Sequence, residues 1–177
     1  MNSANFLVMI SAIVIIVLLW LVIGKKHLKH LQGVVRDEWE KVDERLRKRH
    51  NLVPNLVETV RWYDQNQEEM LGEMVAVRMK AAKEYGVSGA KLEYEHELSR
   101  VINKVIDFGV VLKDLSLDTN FLELRKEIDE LEKEIEERVV KYNEIVREYN
   151  KEREKAWLSP ICSIFGFKTE NIFETEI

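Results

Sequence analysis

FLELRKEIDELEKEIEERVVKYNEIVREYN, residues 121–150, decides the fold class. Phe121, Leu124, Ile128, Leu131, Ile135, Tyr142, Ile145 and Tyr149 fall on heptad a and d positions, and only Arg138 interrupts the series. Most remaining positions are charged. A helix with one apolar stripe and a charged remainder buries that stripe against other helices. Composition agrees. The 177 residues include 7 Gly and 2 Pro, few for a chain of strands and turns, and 33% are charged. The expected class is all-α, with an antiparallel, up-and-down bundle of long helices following an N-terminal transmembrane helix.

Upstream of this helix, Asp118-Thr119-Asn120 reads as a break, with Asn120 capping and Glu123 answering it. A third helix is expected over residues 90–117, burying Leu98, Ile102, Val105, Leu112 and Leu115. Gly86 to Gly89 is the clearest loop. A second helix is expected from about Leu52 to Tyr85, burying Leu56, Val60, Tyr63, Met70, Met74 and Ala81. Its start lies in RHNLVPN, residues 49–55, where Asn51 suits an N-cap and Pro54 a first turn. Val35, Trp39, Val42 and Leu46 give the preceding segment one apolar face. An alternative stays open: the segments before and after Pro54 form one kinked rod, with three long segments instead of four.

Residues 6–23, FLVMISAIVIIVLLWLVI, carry no charge. Eighteen helical residues reach about 27 Å, close to the ~30 Å of bilayer hydrocarbon. Ser11 can return its hydroxyl to a carbonyl in the preceding turn. Residues 1–5 hold no Lys or Arg and the run ends LVIGKKH, so an uncleaved anchor is expected rather than a signal peptide. The expected division is a short non-cytoplasmic terminus at 1–5, the span at 6–23, a basic juxtamembrane segment at 24–33, the bundle at 34–156, and an apolar tail at 157–177. Lys25, Lys26 and Lys29 follow the span, so the bundle is expected in the cytoplasm, on a cell (inner) membrane. Trp20, these lysines, His27 and His30 form the expected membrane interface, with lipid as partner. His27 and His30, at i and i+3, have no third ligand nearby, so headgroup contact is the better reading.

Net charge is −5, which argues against nucleic-acid binding. Residues 127–137 hold seven acids against Lys133, a solvated face or an acidic partner surface. Cys162 is the single cysteine, so no intramolecular disulfide or CxxC knuckle exists. Glu93 and His96 supply one Glu-x-x-His pair where a di-iron bundle needs two. No phosphate loop, GxSxG or HExxH is present. Neither a catalytic residue nor a cofactor or metal site is expected.

WEKVDERLRKRHNLVPNLVETVRWY, residues 39–63, resembles the hallmark of the LemA family. Lys48 and Arg49 stand at its basic pair, and Asn51 and Val53 where Asp and Ile are usual. Pro54, Asn55, Leu56, Val57, Glu58 and Val60 match. Asn120-Phe121 with Leu124 resembles the start of its last helix. Tyr142-Asn143 and Tyr149-Asn150 resemble its two tyrosine–asparagine pairs, and Phe165-Gly166-Phe167 with Phe173-Glu174 its C-terminal signature. Asn66-Gln67 replaces a usual histidine–glutamate pair, and the tyrosine–proline expected before the last helix is missing. The resemblance covers about residues 33–174. It implies a bacterial membrane-anchored bundle with no established catalytic activity, and an accessory relation to a membrane protease.

Two functions from different classes are therefore carried forward. The first is a membrane-anchored scaffold or regulator acting through helix–helix protein contacts, its partner a second copy or a membrane protease. The second is an enzyme or small-molecule sensor with a polar site inside the bundle, where Asn55, Glu58, Asn143 and Asn150 would converge. The tail, with Trp157, Ile161, Ile164, Phe165 and Phe167, is expected near the headgroups or packed against the base of the bundle in the four-helix layout, and far from the bilayer in the rod.

Overall fold

The computed structural model describes residues 3–174. Of the described residues, 86% are helical, and none lies in a strand. The helices are α1 (Ser3–Tyr63), α2 (Glu68–Lys83), α3 (Gly89–Val111), α4 (Thr119–Arg153) and α5 (Ser159–Phe165), with 3-10 turns at Gln65–Gln67 and Leu115–Leu117. Two compact units emerge. Unit one comprises the described residues of Met1–Asp37 and Glu144–Glu170, and unit two those of Glu38–Asn143 and Asn171–Ile177.

In unit two the core joins Val53, Leu56, Val57 and Val60 of α1 to Leu71, Met74 and Val77 of α2, to Leu98, Ile102 and Val105 of α3, and to Phe121 and Ile128 of α4. Here α1 and α4 run antiparallel. Asn120 donates to the Thr59 hydroxyl at 2.8 Å, Arg45 pairs with Glu134 at 2.9 Å, and Trp39 meets Tyr142 edge-on. Val35, Trp39, Val42 and Leu46 are all buried as their spacing predicts.

The expected break at residues 49–55 does not exist. Asn51 caps nothing; it lies exposed in the interior of α1, and Pro54 sits inside the same helix. A proline there leaves the carbonyl four residues back without its donor. That carbonyl belongs to His50, and Arg78 of α2 donates its Nε–H to it at 2.6 Å. A partner from the neighbouring helix thus offsets what normally ends a helix at proline. α1 is therefore continuous through Pro54, as the rod alternative has it, but it ends at Tyr63, and the tail expected far from the span in the rod instead packs beside Trp20, Leu21 and Leu28. The expected second helix instead divides at Asp64, whose side chain accepts from Asn66 N and caps the 3-10 turn. Tyr63, expected in the core, is exposed and donates to Asp118 at 2.8 Å.

α3 stops at Val111 instead of 117. Ser88 caps its start by accepting from Lys91 N. The cap of α4 is Asp118 and not Asn120: the Phe121 N–H meets Asp118 Oδ1 at 2.8 Å. The buried stripe of α4 keeps Phe121, Leu124, Ile128, Leu131, Ile135, Tyr142 and Tyr149, but takes Val139 and Val146 while Ile145 is only partly buried. The step from Ile135 to Val139 is four residues, following another step of four. This converts the heptad locally to an eleven-residue repeat. Arg138, which broke the heptad series, marks that change of phase.

In unit one, the large apolar residues from Leu7 to Leu19 remain 41–67% exposed, and this part of α1 is long and apolar enough to cross a membrane. Ser11 does return its hydroxyl to the Val8 carbonyl, at 2.8 Å. Farther along, Leu28 packs with Leu158, Ile161 and Cys162, and Trp20, Leu21 and Phe167 border this cluster. Gly24 permits the approach: a Cβ there would lie 2.1 Å from Ile161 Cδ1. Pro160 falls in the first turn of α5, where its missing N–H costs little.

Candidate functional site

The densest polar chemistry lies in the interior of unit two. Arg49 of α1 is 2% exposed. Its Nη2 reaches Glu95 Oε2 of α3 at 2.6 Å and its Nη1 reaches Glu132 Oε1 of α4 at 2.7 Å. Nη1 also donates to Ser99, which in turn donates to Glu132 at 3.2 Å. His50 Nε2 lies 3.0 Å from the same Glu95 oxygen. Lys91, also buried, pairs with Asp43 at 3.0 Å and stands 3.7 Å from Glu95 Oε1. Three helices are thereby tied through one guanidinium, whose planar fork serves two carboxylates at once. Burial works to raise the Glu95 pKa, but the His50 hydrogen bond and the Arg49 charge prevail and hold it below the ordinary value. Burial likewise opposes the Arg49 charge, while Glu132 and Glu95 restore it.

A cleft of about 210 Å³ adjoins this network, lined among others by Arg49, His96, Arg100, Asn103, Glu132 and Phe173. Arg49 Nε and His96 Nε2 are buried without a protein partner. No group of three or more His, Cys, Asp or Glu that could hold a metal occurs among the described residues.

The two tyrosine–asparagine pairs perform one task, once in each unit. In unit two, Asn143 Nδ2 donates to the Phe173 carbonyl at 2.7 Å and its Oδ1 accepts the Phe173 N–H at 2.8 Å. Tyr142 donates to the Asn171 carbonyl at 2.8 Å. Phe173, so fixed, packs its ring on Trp39. In unit one, Asn150 makes the same pair of bonds to Glu170, at 2.9 and 3.0 Å, and Tyr149 donates to the Lys168 carbonyl at 3.1 Å. A side-chain amide offers a donor and an acceptor side by side, as a neighbouring strand would. Arg153 closes the series on the Phe167 carbonyl at 2.9 Å, and Gly166 takes the left-handed φ of 72° that ends α5.

The expected convergence of Asn55, Glu58, Asn143 and Asn150 is not what these positions do. Asn55 and Glu58 are exposed on α1, and both downstream asparagines hold tail backbone. Of the basic pair, Lys48 is exposed and meets Glu44 at 3.1 Å, while Arg49 goes inward. In the acidic run, Glu132 is drawn into the network while Glu127, Asp129, Glu130, Glu134, Glu136 and Glu137 stay exposed. The network itself is absent from the expectations. Glu95 and His50 sit 45 residues apart, and no local pattern joins them.

The expected interface residues gather in unit one. Lys25 Nζ lies 4.5 Å from the Phe165 ring centroid. His27 stacks on Trp157 and stands 3.6 Å from Glu152. Lys26, Lys29 and His30 are exposed, and Trp20 is partly buried.

No curated protein matches the chain. The LemA family model matches residues 38–177, which takes in the Arg49 network, both tyrosine–asparagine pairs and the tail they hold. The protein belongs to the LemA family.

Proposed function

We propose that the protein is a membrane-anchored helical scaffold or regulator that acts through protein contacts made by its bundle. One observation carries this reading. The exposed apolar run and the buried face Trp39–Val42–Leu46 lie on one unbroken helix, α1. The interior polar side chains of the family motifs are engaged in holding the fold. The exposed acidic face of α4 and large exposed side chains such as Trp62, 85% exposed, and Leu117, 74% exposed, remain for partners. Lys25, Lys26 and Lys29 favour a cytoplasmic bundle by the positive-inside rule. A second copy of the chain or a membrane protease is the partner class this reading takes.

Photocrosslinking groups placed at Trp62, Leu117 and Glu137 of the full chain in its native membrane test it. Adducts with one defined polypeptide, the same from neighbouring positions, are the expected result. Adducts to lipid alone, or none, would overturn it. The cleft beside Arg49 favours a second reading, a small-molecule sensor. That reading expects a ligand that raises the melting temperature of the intact protein but not of its His96→Leu variant.

A further inference from the structure

The exposed surface of unit one has a feature that a simple anchor does not require. Residues 156–167, AWLSPICSIFGF, contain no Asp, Glu, Lys or Arg. Their inward side is accounted for: Leu158, Ile161 and Cys162 pack on Leu28, with Trp20 and Leu21 at the border. Their outward side is also apolar. Ile164 is 63% exposed, Trp157 45% and Phe165 39%. Such residues on a short segment need a reason to face outward.

Their depth supplies it. The contacts of this segment with α1 fall on Trp20, Leu21, Gly24, Lys25, His27 and Leu28. Eight residues of helix separate the first from the last, about 12 Å. The uncharged run ends at Ile23. A bilayer that takes residues 6–23 as its hydrocarbon span therefore has its headgroup layer at the level of α5. An indole, a phenyl ring and a branched aliphatic side chain suit that layer. Lys25, Lys26 and Lys29 sit at the same level, and Lys25 lies over the Phe165 ring, so cations and apolar groups share one surface.

We propose that residues 157–167 form a second membrane contact, with Trp157, Ile164 and Phe165 inserted at the headgroup–acyl boundary and Lys25, Lys26 and Lys29 bound to the phosphates of anionic lipid. The proposal rests on reading residues 6–23 as a membrane span. It adds that the C-terminal segment is itself a lipid-binding element, selective for anionic headgroups.

Single-tryptophan versions of the full chain separate the two claims. One keeps Trp20 and the other Trp157, the remaining tryptophans becoming Phe. Each is reconstituted into phosphatidylcholine vesicles, with and without phosphatidylglycerol, carrying bromine near the headgroup or deep in the acyl chain. Trp157 should be quenched by the shallow bromine and should shift to shorter emission wavelength. Phosphatidylglycerol should strengthen that quenching several-fold, and the gain should vanish in the Lys25→Gln, Lys26→Gln, Lys29→Gln variant. Ile164→Asp, an exposed position, should reduce Trp157 quenching and leave Trp20 unchanged. Quenching of Trp20 with none at Trp157 would overturn the second contact while keeping the span. Quenching of neither would overturn both. Quenching of Trp157 that is indifferent to phosphatidylglycerol would overturn the anionic selectivity.

Discussion

Replacing Arg78 by Met tests why α1 survives its proline. The Arg78 Nε–H donates to the His50 carbonyl at 2.6 Å, the acceptor that Pro54 cannot serve. A hydrogen bond with a charged donor contributes roughly 1.5–3 kcal/mol. Methionine keeps most of the apolar stem, so Arg78→Met should destabilise the full chain by about 2 kcal/mol. For a chain of this size that is a fall in Tm of about 4–8 °C. The same change in a Pro54→Ala background should cost about half as much. Residue 54 then has an N–H of its own, and the His50 carbonyl regains an intrahelical donor. Pro54→Ala alone should be neutral or stabilising, because alanine is the better helix former by up to about 3 kcal/mol in an unconstrained interior. The coupling in the double-mutant cycle should be about 1 kcal/mol, read from thermal or urea melts of the detergent-solubilised protein followed by far-UV circular dichroism. Equal costs of Arg78→Met in both backgrounds, within about 0.3 kcal/mol, would refute the explanation.

Asn143→Ala removes both bonds to Phe173 and should cost about 2 kcal/mol; faster proteolytic trimming of the C-terminal segment checks it, and an unchanged trimming rate would contradict the clamp. Arg49→Met should cost about 3–5 kcal/mol, because Glu95 and Glu132 lose their shared guanidinium and Glu95 keeps only His50 and Lys91; Glu95→Leu in the same chain should recover part of it by urea melts. Glu95 also predicts a pH limb. Its folded pKa is depressed, so its stabilisation is fully present above the ordinary value of 4.5 and is lost as pH falls through the depressed value. Stability profiles of the wild type and Glu95→Gln should therefore differ in slope only on the acid side. Gly24→Leu should displace α5, since even a Cβ would meet Ile161, and maleimide should then label Cys162, now 7% exposed, many times faster.

The faces of the helices were legible because periodicity reports burial directly. Val35, Trp39, Val42 and Leu46, or Leu98, Ile102 and Val105, needed nothing beyond their spacing. Helix ends were legible only where the deciding group was local, as at Gly86 to Gly89. Pro54 misled because its remedy, Arg78, acts from 28 residues beyond the His50 carbonyl. Arg49 was visible as half of a basic pair, yet its inward role depends on Glu132, 83 residues away. The tyrosine–asparagine pairs were visible only through the family resemblance. Their partners are backbone groups, which every sequence supplies equally, so no side-chain pattern could reveal them.

That last feature sets what kinds of variation the tail can absorb. Asn143 and Asn150 grip peptide groups without regard to the side chains attached. Lys168, Thr169 and Asn171 point their side chains to solvent. The segment is thus indifferent to spelling at these places and sensitive to counting. A substitution there leaves every clamp intact, whereas the insertion or loss of a single residue between Glu170 and Phe173 would hand Asn143 the wrong peptide and carry the phenyl ring away from Trp39.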